Sequence, residues 1–247
     1  MLRSIKEIVD YKIKARDGLI GRIEDFLVSD KDWSIKYAVV NTGTWLNDRR
    51  VLIIPAAMEE PIWLRQNIPV TLSKEEVENA PPYNEHEPVS RVYERRLHSH
   101  YAWTPYFAAG VPGPSVVPVA PMPTENFIDE DTAEELKDNH LRSSSELLGY
   151  KIKTEDGEIG SISDFVIDDG DWTICYIVVD TGKWFSGKEV LISISRLKSV
   201  EWATQEASLG LKTETIRNAP EFDPDTPINK KEEILLYDFH GRPHIWE

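Results

Sequence analysis

The sequence predicts an all-β protein: two tandem small antiparallel β-barrels joined by a proline-rich linker and a short helix. Three observations lead there. The chain matches itself at an offset of 139 residues without a gap, and 24 of the 43 positions from 11 to 53 are identical to their counterparts. Each copy divides into short apolar runs separated by Gly, Asp and Asn turns, the pattern of a small barrel that buries its own edges. Between the copies, Thr104 to Asn126 holds Pro105, Pro112, Pro114, Pro118, Pro121 and Pro123. That stretch cannot enter a sheet interior and favours an extended, semi-rigid spacer. The resulting boundaries are 1–107 for the first repeat with an aromatic tail, 108–142 for the linker and helix, and 143–247 for the second repeat and tail.

Taken in order, Ile8 to Ala15 reads as a strand closed by the hairpin signal Asp17-Gly18. Ile20 to Ser29 follows, ending at Asp30-Lys31-Asp32, where the second copy has Asp169-Gly170. Next, Trp33, Ile35, Tyr37 and Val39 alternate with Ser34, Lys36, Ala38 and Val40, so the first set is expected to face the core. Cys175 stands where the first copy has Lys36, which places it near the surface. Thr42-Gly43 opens a longer loop before a strand at Val51 to Ile54, and another strand is expected near Val70 to Leu72. Ser73 to Glu76 opens a helical turn that ends before Asn79-Ala80-Pro81, because the residue before proline disfavours α. Asp129 to Leu141 reads as a short acidic helix. The uniform offset predicts superposable barrels related by an approximate two-fold, held through the tails and the proline segment.

Charge and composition restrict the function classes. The chain has 43 acidic and 28 basic side chains, a net charge of −15. Residues 1–105 carry 15 basic and 16 acidic groups, so the excess lies almost wholly in the second half. Such a surface repels phosphate backbones and anionic membranes, which disfavours nucleic acid as a partner. No apolar run is long enough to span a bilayer, so membrane insertion is not expected. The opening residues lack a signal core, and a cytoplasmic location is the expectation. The single cysteine excludes an internal disulfide and any cysteine-based zinc site.

No side-chain constellation points to catalysis. Gly18 and Gly21, with Gly157 and Gly160, resemble a phosphate loop in spacing, but a strand and not a helix follows, so they read as turn and bulge glycines. Asp168 to Asp171 lacks the downstream glutamate of a calcium loop and reads as a hairpin turn. His98 and His100 could share a strand face, and Pro243 spoils a helix face for His240 and His244; solvated tail histidines are the expectation. Asp25 and Asp164, kept in both copies, read as structural acceptors for a turn. Trp45-Leu46 and Trp184-Phe185 follow Thr-Gly in a loop expected to protrude. Each Trp either folds back over the barrel end or contacts a partner, so Trp45, Leu46, Trp184 and Phe185 are the candidate partner contacts.

The ordered set Leu147-Leu148-Gly149-Tyr150, Asp156 to Gly160, Asp164-Phe165, Trp172 to Gly182 and Lys188 to Ile192, occurring twice, resembles the PRC-barrel family. That family is named for the cytoplasmic domain of the photosynthetic reaction-centre H subunit and also occurs in the ribosome maturation factor RimM. The resemblance covers about residues 4–80 and 143–219, and the tails at Asn79-Ala80-Pro81 and Asn218-Ala219-Pro220 resemble those of bacterial two-barrel members. It implies a small β-barrel used for binding or assembly, with no enzyme activity, no cofactor and no metal. A protein partner of unknown identity is expected, and self-association stays open. Two alternatives come from the namesakes: RNA- or ribosome-related binding, which the charge opposes, and a photosynthetic electron-transport accessory. The chain lacks the H subunit's membrane helix and RimM's separate N-terminal domain.

Overall fold

A computed structural model describes residues 1–105, 140–182 and 187–223. The expected acidic helix (apart from its last residues), most of the linker and the second aromatic tail lie outside the described residues. What is described is two sheets with few helices. The first copy holds β1 (Leu2–Ser4), β2 (Lys12–Ala15), β3 (Gly18–Ser29), β4 (Ile35–Asn41), β5 (Arg50–Ile53) and β6 (Asn67–Pro69). Its helices are α1 (Ile5–Ile8), α2 (Lys74–Glu78) and α3 (Arg91–Tyr101). The second copy holds β7 (Leu141–Ser143), β8 (Lys151–Lys153), β9 (Glu158–Asp168), β10 (Thr173–Asp180), β11 (Glu189–Ser193), β12 (Leu197–Glu201), β13 (Glu206–Leu209) and α4 (Thr213–Arg217). Leu141 and Arg142, placed at the end of the linker from sequence, are therefore strand residues.

The two copies exchange their first strands. β1 pairs antiparallel with β9 of the second copy, Leu2 opposite Asp168 and Ser4 opposite Val166. β7 pairs in the same way with β3 of the first copy, Leu141 opposite Ser29 and Ser143 opposite Leu27. Both strands read Leu-Arg-Ser. Each crossing is anchored by the aspartate that both copies keep. Asp164 accepts from the Ser4 hydroxyl, from Lys6 N at 3.3 Å and from Phe165 N at 2.7 Å. Asp25 accepts from the hydroxyls of Ser143, Ser144 and Ser145, from Ser145 N at 3.1 Å and from Phe26 N at 2.7 Å. Arginine then ties each exchanged strand back to its own copy: Arg3 lies 4.1 Å above the Trp63 ring, and Arg142 lies 4.3 Å above Trp202.

A second cross-copy contact lies at Trp33 and Trp172. Both adopt left-handed backbone, φ 54° and 58°, which is costly for a bulky residue. The turn aims each tryptophan carbonyl at the other copy: Ile174 N donates to Trp33 O at 2.8 Å, and Ile35 N to Trp172 O at 2.9 Å. Asp32 and Asp171 hold the turns by accepting from Ser34 N and Thr173 N. The contacts between the copies are reciprocal, and within the described residues exchanged strands and paired turns make them, not the tails or the proline segment. One apolar cluster spans both copies, running from Ile8, Ile13 and Phe26 through to Tyr150, Ile152 and Phe165.

Three details correct the strand expectations. The sheets are not wholly antiparallel, because β6 pairs parallel with β2 and β13 with β8. The described ladder of the first copy runs β5-β4-β3-β2-β6 and does not close between β5 and β6. The tail covers the β5 edge instead: Tyr83 N donates to Arg50 O, and in the second copy Phe222 N donates to Glu189 O. Finally, the alternation in β4 reverses partway. The register slips between Leu27 and Val28, and between Ile174 and Tyr176, leaving Lys36 and Cys175 as bulge residues. Past the bulge, Ala38 and Val40 point into the main core, while Tyr37 and Val39 join a separate cluster with Leu52, Val89, Leu97 and Leu141. Cys175 is half-buried, as a bulge position allows. Other expectations hold: Gly21 and Gly160 lie where a Cβ would overlap the Asn41 or Asp180 carbonyl, and Ser73 and Glu76 form a capping box on α2.

Replacing Asp25 or Asp164 with Ala should lower unfolding stability by about 1–3 kcal/mol each, the cost of leaving buried donors unmade; urea denaturation measures it, and unchanged midpoints would remove the clasp from the account. A chain cut at an engineered protease site within 106–139 should still elute as one species, since each half carries a strand of the other's sheet. Separation of the halves on a sizing column would contradict the exchange.

Candidate functional site

Of the four aromatic-loop residues singled out from sequence, Trp45 and Leu46 are described, and Trp184 and Phe185 lie outside the described residues. Trp45 folds back onto the barrel end. Its indole Nε1 donates to Ile20 O, the ring packs against the core, and Lys74 Nζ stands 4.3 Å from its centroid. Leu46 beside it is half-buried.

A larger concavity lies where the copies meet. It is an open groove of about 910 Å³. One wall is the irregular segment from Ile54 to Pro61, the opposite wall is the Asp169 to Trp172 turn of the second copy, and Ser34 to Lys36 of β4 with the end of α3 complete it. Its pseudo-symmetric counterpart, between Asp30, Trp33 and Leu197 to Val200, has only about 190 Å³. Chain chemistry explains the difference. In the second copy the corresponding stretch is a 3-10 turn at Ile194–Arg196, like that at Pro55–Ala57, followed by strand β12, which pairs with β13 with a slip at Lys198. In the first copy Pro61, which has no N–H to donate, replaces the laddered Val200, and only single bridges at Met58–Val70 and Ile62–Asn67 remain. The charge also changes: Glu59 and Glu60 stand where the second copy has Lys198 and Ser199. Both glutamates are exposed.

Helix α3 forms the end of the groove through a buried polar cluster. Glu94 and His98 are 1% and 2% exposed, and the Tyr37 hydroxyl lies between them, donating to Glu94 Oε1 at 3.0 Å with His98 Nε2 at 2.7 Å. Arg91 closes the cluster on Glu94 Oε2 at 2.7 Å. With the phenol proton directed at Glu94, His98 Nε2 is placed to donate to the phenol oxygen. Next to it, Trp103 meets His98 edge-on and stacks on Tyr101 at 4.1 Å between centroids. Sequence reasoning set His98 and His100 on a strand; they are on α3. The spacing of Glu94, Leu97, His98 and Tyr101 is helical, but two charged-type residues on the inner face hide it from an apolar-period reading.

Burial holds His98 below the usual histidine range, against the pull of the Glu94 carboxylate. Burial raises Asp164 above the usual carboxylate range, with the Ser4 hydroxyl opposing. Among the described residues, no group of His, Cys, Asp and Glu side chains is arranged to hold a metal ion. None of their helices is long and apolar enough to cross a membrane.

The sign for His98 follows from its lowered pKa. The undocked ring takes a proton more readily than the buried one, so α3 docking is at full strength above the ordinary histidine value and weakens as pH falls through it. Near-UV circular dichroism of the Tyr101–Trp103 pair should therefore decline from about pH 6.5 towards 5, and His98→Gln should flatten that decline; a pH-independent signal in the parent would refute the assignment.

No curated protein matches the chain. Residues 140–205, from just before β7 to the turn between β12 and β13, match the family model of the PRC-barrel domain.

Proposed function

We propose that the chain is a non-enzymatic, cytoplasmic tandem PRC-barrel protein that acts as a protein–protein interaction or assembly module, both copies being barrels of the one family. The observation that carries this reading is the division of labour between shared and divergent residues. Those that the copies share hold the fold: the aspartates receive exchanged strands, the tryptophan turns join the copies, and the glycines permit close backbone approach. Where the copies diverge, an open groove with an apolar floor and charged rim has formed on one of them. A pre-formed concavity at the junction of the copies suits recognition.

The test is native capture of the tagged full-length chain from its own cells, quantified by mass spectrometry, beside its mass in solution. One or a few stoichiometric partners are expected. A plain monomer with no stoichiometric partner would defeat the reading.

A further inference from the structure

We propose that the groove at the copy junction receives a basic segment of a partner protein, with Lys or Arg side chains on its rim and an apolar residue on its floor; this rests on the interaction-module reading and names the class of partner. The floor is apolar, formed by Ile54, Pro55, Met58 and the buried Trp172. The rim is acidic. Glu59, Glu60 and Asp171 are exposed, and among the described residues no ion pair engages the two glutamates. The cation lining the groove, Lys36, is 2.8 Å from Asp32, so it does not offset that charge. Asp169 is already occupied by the N-terminal amine at 2.5 Å.

The second copy serves as an internal control. The same fold position there carries Lys198, which reaches Glu155 at 3.2 Å and lies over Gly210. The fold thus tolerates a lysine, a smaller groove and a paired strand at this place. The first copy has instead Pro61, which cannot donate to a ladder, and two glutamates that charge the groove. Both glutamates are exposed, and neither appears in an ion pair among the described residues.

Charge selects the occupant. The chain's own segment 106–139 carries seven acidic side chains and one basic, so an acidic rim repels it. A second copy of the chain brings a net charge of −15 and is repelled likewise. Opposite charge on the incoming segment both speeds encounter and fixes register.

Short random peptides displayed on phage should be selected against the immobilised full-length chain at low salt. Enriched sequences are expected to combine Lys or Arg with an aliphatic or aromatic residue. The double variant Glu59→Lys/Glu60→Lys should weaken their binding at least about ten-fold with an unchanged thermal melt, since both side chains are exposed. Lys198→Glu, at the mirror position, should leave binding within about two-fold, because Lys198 does not line the groove. Enrichment of sequences without Lys or Arg, or equal binding to the double variant, would overturn the assignment while leaving the module reading intact. Displacement of the selected peptides by a synthetic peptide of residues 106–139 would also overturn it, making the linker the occupant. The module reading itself fails only if native capture returns no partner.

Discussion

Two aspartates accepting hydroxyls across the copy boundary are the contact on which the architecture rests. Asp25 and Asp164 each sit in a long central strand, and each receives the serine end of a strand that belongs to the other copy. A buried carboxylate needs donors, and here the donors arrive from a distant part of the chain. That requirement fixes where Leu2–Ser4 and Leu141–Ser143 go, and with them the junction of the two sheets. Asp164 bears a visible cost, since burial raises its pKa. The copies are therefore interdependent, and their shared core follows from the exchange.

Both faces of these sheets are covered, which accounts for their unusual patterning. The inner face packs in the common core; the outer face of β3, β4 and β5 packs under α3 and the tail, and that of β9, β10 and β11 under Leu2 and Phe222. Strands buried on both faces read as continuous apolar runs rather than alternating ones. The bulge at Lys36 and Cys175 is where the strand changes which side chains it turns inward. A half-exposed position suits the residue that the ladder leaves out.

Duplication separates what the fold requires from what it merely permits. Symmetric pairs recur down to their geometry: Tyr11 on Trp63 and Tyr150 on Trp202 meet edge-on at 5.9 and 6.1 Å. Against that background the departures at Glu59, Glu60 and Pro61 stand out, because they fall where the second copy has strand β12. Function in this chain is best sought at such departures. The aromatic loop looked more attractive from sequence, but Trp45 spends its indole N–H on Ile20 and its face on Lys74.

The sequence by itself determined the duplication, the turns and most of the core, because identical residues at a constant offset and turn chemistry at Gly, Asp and Asn are local signals. It also marked Asp25, Asp164, Trp33 and Trp172 as fold residues, since both copies keep them. Tertiary structure alone decided which sheet each Leu-Arg-Ser strand joins. The two tripeptides are identical and both copies keep the receiving aspartate, so nothing local distinguishes home from neighbour; only the path of the chain in three dimensions does. It likewise decided that α3 is a helix, because Tyr37 supplies the polar partner that lets Glu94 and His98 face inward. The groove belongs to neither copy's sequence: one wall comes from residues 54–61 and the other from 169–172, and it exists only once the exchange has brought them together.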